Sequence, residues 1–428
     1  MEATPRQGFI ERDGVRLHYR EWGPGGNAAG PTLFFLHGLS SNSLFWKRVA
    51  QRLPHRRIIA LDQRSHGLSD RPAGGNDPAT LVADALSVIR ELGAGRALIV
   101  GHSWGSTIAL ELAATHPDAA CGILFLDGPI ASMSQLMRWE DVAERMQPPF
   151  PVWPDLAAAR SHHGSYVAEA WDDDLEQFVD AGLAQVDGGW TSTLTAPVRL
   201  EMLRGMFAYQ PQLLWGQVDG PVWVGLALRR PGAPVGGEES RRKAVEELLA
   251  ARPDARVIWY DSRHDIPLIL PDQVAADIER LAVTAAWRLF AEQADKLTGD
   301  WSKAALPGPP AWSARDLLAH LASTQTALLR VAASAGAPAQ GSGPPFDPDR
   351  WNRSQVERRR DQTISVLKAE LAQGVESLLS LLAEANLDQT VAVGPEAGSA
   401  LGAAVRVMLA HQEEHLRELN RTLFPALS

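Results

Sequence analysis

The run Gly101-His102-Ser103-Trp104-Gly105 sets a serine between two glycines, directly after the apolar stretch Ala97–Val100 and directly before a helical pattern from Ser106 to Thr115. This order predicts a strand, a sharp turn and a helix, with the serine at the apex. Backbone at such an apex is crowded and strained, so small residues are needed on either side. The hydroxyl then stands exposed above the sheet as a nucleophile. A serine that merely caps a helix after a strand would look similar, but the flanking strand and helix favour the nucleophile.

Acyl transfer by serine needs a base for its proton, an acid to orient that base, and donors for the oxyanion. His264, in Asp261-Ser262-Arg263-His264-Asp265-Ile266-Pro267, follows the final apolar run and is the candidate base. Leu36-His37-Gly38-Leu39 follows an early apolar run, and the backbone N–H of Leu39 can face an oxyanion. The N–H of Trp104, next to the nucleophile, is the second candidate donor.

Residues 8–22 read as two antiparallel strands around the turn Asp13-Gly14. Thr32–Leu36, Ile58–Leu61, Ala97–Val100, Ile123–Leu126, Val222–Leu226 and Val257–Tyr260 then alternate with amphipathic segments. Near-continuous apolar runs followed by helices predict a parallel sheet covered on both faces, with working residues beyond the carboxyl ends of its strands. Those loops hold His37-Gly38, Asp62, Ser103, Asp127 and His264. Residues 131–218 break the rhythm and read as a helical cap, with helices at Trp139–Met146 and Asp173–Ala184. The cap's aromatics either line an apolar pocket or pack the cap. After about residue 285 four helical segments follow, 283–298, 313–336, 350–386 and 399–423, with a Gly/Pro/Ser-rich loop at 335–349; these predict a four-helix bundle. The expected domains are 1–285 and 286–428.

A net charge of −10 and pI near 5.7 disfavour nucleic acid and anionic membrane as partners. The lone cysteine, Cys121, excludes an intrachain disulfide. No segment has the pattern of a signal peptide or membrane span, so the cytoplasm is the expected location.

On the residues His37-Gly38, Asp62-Gln63-Arg64-Ser65-His66-Gly67-Leu68-Ser69, Gly101–Gly105 and His264, residues 8–285 resemble the α/β-hydrolase superfamily. The resemblance implies an α/β-hydrolase fold with a Ser-His-Asp triad and no cofactor. In most members the acid follows the strand matching Val222–Leu226, where this chain instead reads Ala227-Leu228-Arg229-Arg230-Pro231. The family's other location follows the preceding strand, which points to Asp127, with Glu238 and Glu239 in reserve. Ser103 departs from the carboxylate nucleophile of haloalkane dehalogenases and epoxide hydrolases and implies esters, lactones, thioesters or amides. Asp62-Gln63-Arg64 reads as shaping the loop beside the oxyanion strand, and His102 receives no role.

His411 and His415, four residues apart, share a helix face and can share a metal. With Trp312-Ser313, Asp316 and His320 they carry a resemblance to the DinB family over residues 285–425. It implies that His320, His411 and His415 bind a divalent ion, zinc or nickel. It also admits a homodimer, since bundles of this kind often pair. Glu357-Arg358-Arg359-Arg360-Asp361 reads as a solvated helix face. The leading expectation is a serine hydrolase acting on an ester or lactone of a small, largely apolar molecule. The alternatives are a metal-dependent transferase or detoxification enzyme of DinB type, and a ligand-binding sensor on a weakened hydrolase scaffold.

Overall fold

The computed structural model describes residues 4–25, 30–147, 150–165, 167–229, 237–306, 312–337, 347–394 and 397–424. The chain divides into two compact units, Met1–Ala282 and Val283–Ser428.

The first unit is built on eight strands: β1 Arg6–Arg12, β2 Val15–Trp22, β3 Leu33–Leu36, β4 Ile58–Leu61, β5 Ala97–His102, β6 Ala120–Leu126, β7 Val222–Ala227 and β8 Arg256–Tyr260. Their order is β1-β2-β4-β3-β5-β6-β7-β8. β1 and β2 are antiparallel to their neighbours, and the rest run parallel. Asp13 and Gly14, both at positive φ, make the tight turn between β1 and β2. The central strands β3 to β7 are buried along their length, which is why they read as unbroken apolar runs. Helices α1 Pro78–Glu91, α2 Trp104–Thr115 and α3 Gly237–Ala251 cover the sheet.

Between β6 and β7 the cap contains the expected helix Trp139–Met146 and further helices Leu156–Gly164, Asp173–Asp180 and Ala196–Ala208. It is not wholly helical. The expected helix Asp173–Ala184 stops at Asp180, and Leu183–Val186 pairs with Gly189–Ser192 as a hairpin. Lys47 bonds Asp174, Arg48 bonds the Ala170 carbonyl, and Asn42 bonds the Phe178 carbonyl, which ties the cap to the loop after β3.

Helix α4, Pro271–Lys296, carries the chain from one unit into the next. In the first unit its Glu279 accepts a bidentate pair of bonds from the buried Arg56, both 2.9 Å, and a third at 3.0 Å from His55. The second unit continues with α5 Ala314–Ala333, α6 Pro348–Arg358, α7 Ile364–Glu384 and α8 Leu401–Leu423. Its core packs Trp287 and Phe290 of α4 against leucines of α5, α7 and α8. The single expected helix 350–386 is two helices. Arg315 donates to the carbonyls of Arg359, Arg360 and Gln362, which draws the chain out of helical hydrogen bonding, and Thr363 caps the next helix. The basic run therefore ends a helix; Glu357, Arg358, Arg360 and Asp361 are exposed, as expected of a solvated face, while Arg359 pairs with Glu370. Residues 338–346 of the Gly/Pro/Ser-rich loop lie outside the described residues. Among the described residues no helix is long and apolar enough to cross a membrane.

Burial alone would raise the Glu279 carboxyl, but bonds from His55 and Arg56 hold it well below the usual carboxylate range. Such a group stabilises the fold above its unfolded pKa of about 4.3, and that contribution fades as pH falls. Glu279→Gln should cost the first unit about 3–5 kcal/mol at pH 7 by removing the charge that buried Arg56 pairs with. In denaturant titrations its deficit relative to wild type should shrink between roughly pH 5 and pH 3.

Candidate active site and histidine cluster

Ser103 sits at φ 53°, ψ −117°, between the end of β5 and the start of α2. The strain is held by sheet hydrogen bonds: Ser103 N–H donates to the Leu126 carbonyl at 2.8 Å, and Ser106 Oγ donates to the Gly101 carbonyl at 2.7 Å. The flanking glycines are obligatory. A Cβ at Gly105 would lie 2.3 Å from the Leu36 carbonyl oxygen, and one at Gly101 would lie 2.3 Å from the Gly105 carbonyl oxygen. Trp104 is the first residue of α2, so its N–H belongs to the group of helix-start donors that have no intrahelical partner.

Asp127, just past β6, also has positive φ, 44°. Its Oδ2 lies 2.7 Å from His264 Nδ1, and its Oδ1 accepts from the Ala227 N–H at 3.1 Å and Arg241 at 3.2 Å. The carboxylate is fully buried. This contact fixes His264 with Nδ1–H toward the acid, leaving Nε2 as the nitrogen available to a substrate. Glu238 is far from this role: it is exposed on the first turn of α3 and pairs with Arg242, while Glu239 is exposed beside it. Arg229 pairs with Asp261 at 2.6 and 2.7 Å; Arg230 and Pro231 lie outside the described residues.

Sequence reasoning passed over His102. Its ring is buried, stacks on Phe45 at 4.6 Å and lies 4.7 Å from the His264 ring. Its Nε2–H donates to the His264 carbonyl at 2.9 Å. Burial first, then the neighbouring His264, lowers its pKa to about 3, so it is a neutral brace. No pattern in the sequence signals this, because the contact closes only across the sheet.

The loop after β3 is braced in the same way. His37 Nδ1–H donates to the Gly38 carbonyl at 2.8 Å, and its Nε2 accepts from the Gln63 N–H at 3.1 Å. Asp62 accepts from His18 at 2.8 Å, from the Ser43 N–H at 2.6 Å and from the Leu68 N–H at 3.0 Å. Burial would raise its pKa, yet the His18 bond and Arg20 keep it well below the ordinary range. Arg64 instead pairs with the buried Asp84. This segment shapes the loop that carries Leu39.

Ser103, His264, Leu39 and Gly38 line one cavity of about 210 Å³, with Phe45, His102, Asp265 and Leu268 from the core and His163, Val167, Phe178 and Val179 from the cap. Among the described cap aromatics, Phe178 and His163 reach it. Trp139 packs on Phe207, Trp153 on His162 and His163, and Trp215 on Phe125.

In the second unit, ligand-capable atoms of His320, His411 and His415 all lie within 4.8 Å of one another. Ser313 and Asp316 form a reciprocal cap at the start of α5, and the Trp312 ring lies 5.1 Å from that of His320. His320 Nδ1 is buried with no hydrogen-bond partner. Burial first, then the neighbouring histidines, lowers His320 to about 3 and His415 to about 4.

Residues 31–169 match the alpha/beta hydrolase fold family, and residues 282–419 match the DinB superfamily. The chain is 30% identical over 273 residues to lipase LipV of Mycobacterium tuberculosis (strain ATCC 25618 / H37Rv), covering 62% of this chain and 97% of that protein. It is 29% identical over 194 residues to 2-(acetamidomethylene)succinate hydrolase of Mesorhizobium japonicum, covering 45% and 67%. The crystal structure of E-2-(acetamidomethylene)succinate hydrolase superposes with a TM-score of 0.55 at 23% identity, over 65% of this chain and 98% of that one, a likeness of fold. The chain belongs to the α/β-hydrolase family, and its C-terminal helical region matches the DinB superfamily. Its homologues support hydrolase activity.

The crowding at the turn gives a direct check. Gly105→Ala should lower the unfolding free energy by about 1–3 kcal/mol, read by chemical denaturation. Any protein that still folds should have a displaced Ser103.

Proposed function

We propose that this hydrolase cleaves an ester or lactone of a small, largely apolar substrate, with Ser103 as nucleophile, His264 as base and Asp127 as the acid that orients it. The observation that carries the reading is the 2.7 Å contact between buried Asp127 and His264, beside a strained serine in the same cavity. In this scheme Ser103 Oγ attacks the carbonyl while His264 Nε2 takes its proton. The N–H groups of Leu39 and Trp104 hold the developing oxyanion. His264 passes the proton to the leaving alcohol, and a water, deprotonated by the same nitrogen, releases the acid and restores the serine. The small chamber and its six apolar side chains favour compact acyl groups. Thioesters and some amides fit the same chemistry. With the acid in place after β6, the absence of a carboxylate after β7 no longer argues for a non-catalytic sensor.

On a panel of p-nitrophenyl esters and γ-lactones, Ser103→Ala should fall to background. Asp127→Asn should lose about 10³–10⁴ in kcat with little change in fold. Full activity in either variant removes the reading.

A second activity is favoured by one observation, the three-histidine cluster. We propose that His320, His411 and His415 hold a divalent ion, zinc or nickel, in the DinB-like unit. The donor set fits: three imidazoles, His320 and His415 held neutral by burial, and His320 presenting a buried nitrogen that lacks any other partner. When bound, such an ion would act as a Lewis acid toward water or a thiol, the chemistry of a transferase. Elemental analysis of protein purified without chelator should give about one equivalent per chain, lost in His411→Ala/His415→Ala. Metal-free wild type after incubation with zinc and nickel, followed by desalting, would contradict it.

A further inference from the structure

The triad leaves one charged group in the active-site cavity without a task. Asp265 follows His264 in sequence and lines the same chamber as Ser103. Its carboxylate accepts no hydrogen bond and enters no ion pair among the described residues. It sits at the start of the short helix Ile266–Ile269 yet does not cap it. Orientation of His264 is already supplied by Asp127. The nearest basic side chain in sequence, Arg263, is committed to Glu169. Burial raises the Asp265 pKa, with His264 and Arg263 opposing and Asp127 adding to the rise. Keeping an unpaired carboxylate in a recess half lined by apolar side chains is unfavourable unless a ligand supplies the missing partner.

The rest of the chamber narrows what that partner is. Its described lining contains no lysine or arginine. Phe45 and Phe178 face it with ring centroids 5.8 Å apart. A carboxylate next to aromatic rings, with no lysine or arginine in the lining, is the chemistry that receives an ammonium group. We propose that Asp265 is a specificity residue that selects substrates bearing a cationic nitrogen, ammonium or quaternary ammonium, close to the scissile carbonyl. This rests on the serine-hydrolase reading above. It differs from what a dicarboxylate-binding pocket would need. Two described arginines bond lining residues: Arg48 donates to the Leu268 carbonyl at 2.8 Å, and Arg199 reaches the Ser40 side chain from the cap, its other bond going to the Met146 carbonyl.

The test uses three thioacetates of matched size at pH 8: acetylthiocholine, its neutral isostere S-(3,3-dimethylbutyl) thioacetate, and 2-(acetylthio)ethanesulfonate. The wild type should show kcat/KM about 10-fold or more higher for the cationic than for the neutral member, and lowest for the anion. In Asp265→Asn the cationic-to-neutral ratio should fall toward one. A parallel measurement follows sulfonylation of Ser103 by phenylmethanesulfonyl fluoride. Choline should protect at lower concentration than 3,3-dimethylbutanol, and isethionate least, in wild type but not in Asp265→Asn. This second readout decides the matter even if none of the thioacetates is turned over. Equal ratios with normal sulfonylation overturn the inference and leave the hydrolase reading intact. Preference for the anion overturns it and transfers the specificity role to Arg199. Absence of both turnover and sulfonylation removes the hydrolase reading and this inference with it.

Discussion

The turn that carries Ser103 passes so close to the end of β3 that no side chain fits between them. A methyl group at Gly105 would meet the carbonyls of Leu36 and His37 at 2.3 and 2.5 Å. That approach presses the first turn of α2 onto the loop bearing Leu39, so that Ser103 and the proposed oxyanion donors are set by one packing contact. The cost is a serine at positive φ, of order 1–3 kcal/mol for such a conformation. It is offset by the neighbouring strands. Ser103 N–H is bonded to Leu126, and Ser106 Oγ joins Gly101 to the same strand end. Asp127 follows immediately, its own N–H fixed on Gly225 at 2.8 Å. Ser103 and Asp127 therefore stand on adjacent strand ends, and His264 is carried on a longer loop.

Around this contact the buried polar groups divide into anions with full sets of donors and histidines held neutral. Asp62 and Asp127 each accept several hydrogen bonds in sites that exclude water. His37 and His102 are kept uncharged by burial and each spend an N–H on a backbone carbonyl. His102 thereby holds the backbone of the loop on which His264 sits, while Asp127 holds its ring. Fixing both ends of that residue limits its freedom without a metal or disulfide. The arrangement also explains why Asp265 stands out, since it is the carboxylate at the site that lacks donors.

Much of this was legible from residue order. The central strands are buried on both faces, so their apolar runs were unbroken and their loops could be found by eye; Ser103, His264 and the Leu39 loop followed. Asp127 was reached through the family's alternative position for the acid, and the geometry brings it to His264. Other features had no local signal. The cap hairpin turns at Asp187-Gly188, but its two strands are short and half-exposed, so no apolar alternation marks them. The break between α6 and α7 is imposed by Arg315, more than forty residues away in sequence. The same is true of His102, whose partner lies 162 residues on. In the second unit the i, i+4 histidine pair was readable, while the approach of His320 depended on how α5 packs on α8.

The central claim is that Ser103 is activated by His264. Its most direct test is reaction of the purified chain with a fluorophosphonate at pH 8, followed by peptide mass spectrometry and a time course. The account predicts one adduct per chain, on the peptide containing Ser103, with the labelling rate falling by several orders of magnitude in His264→Ala. An adduct on another serine, or labelling of Ser103 at the same rate without His264, would contradict it.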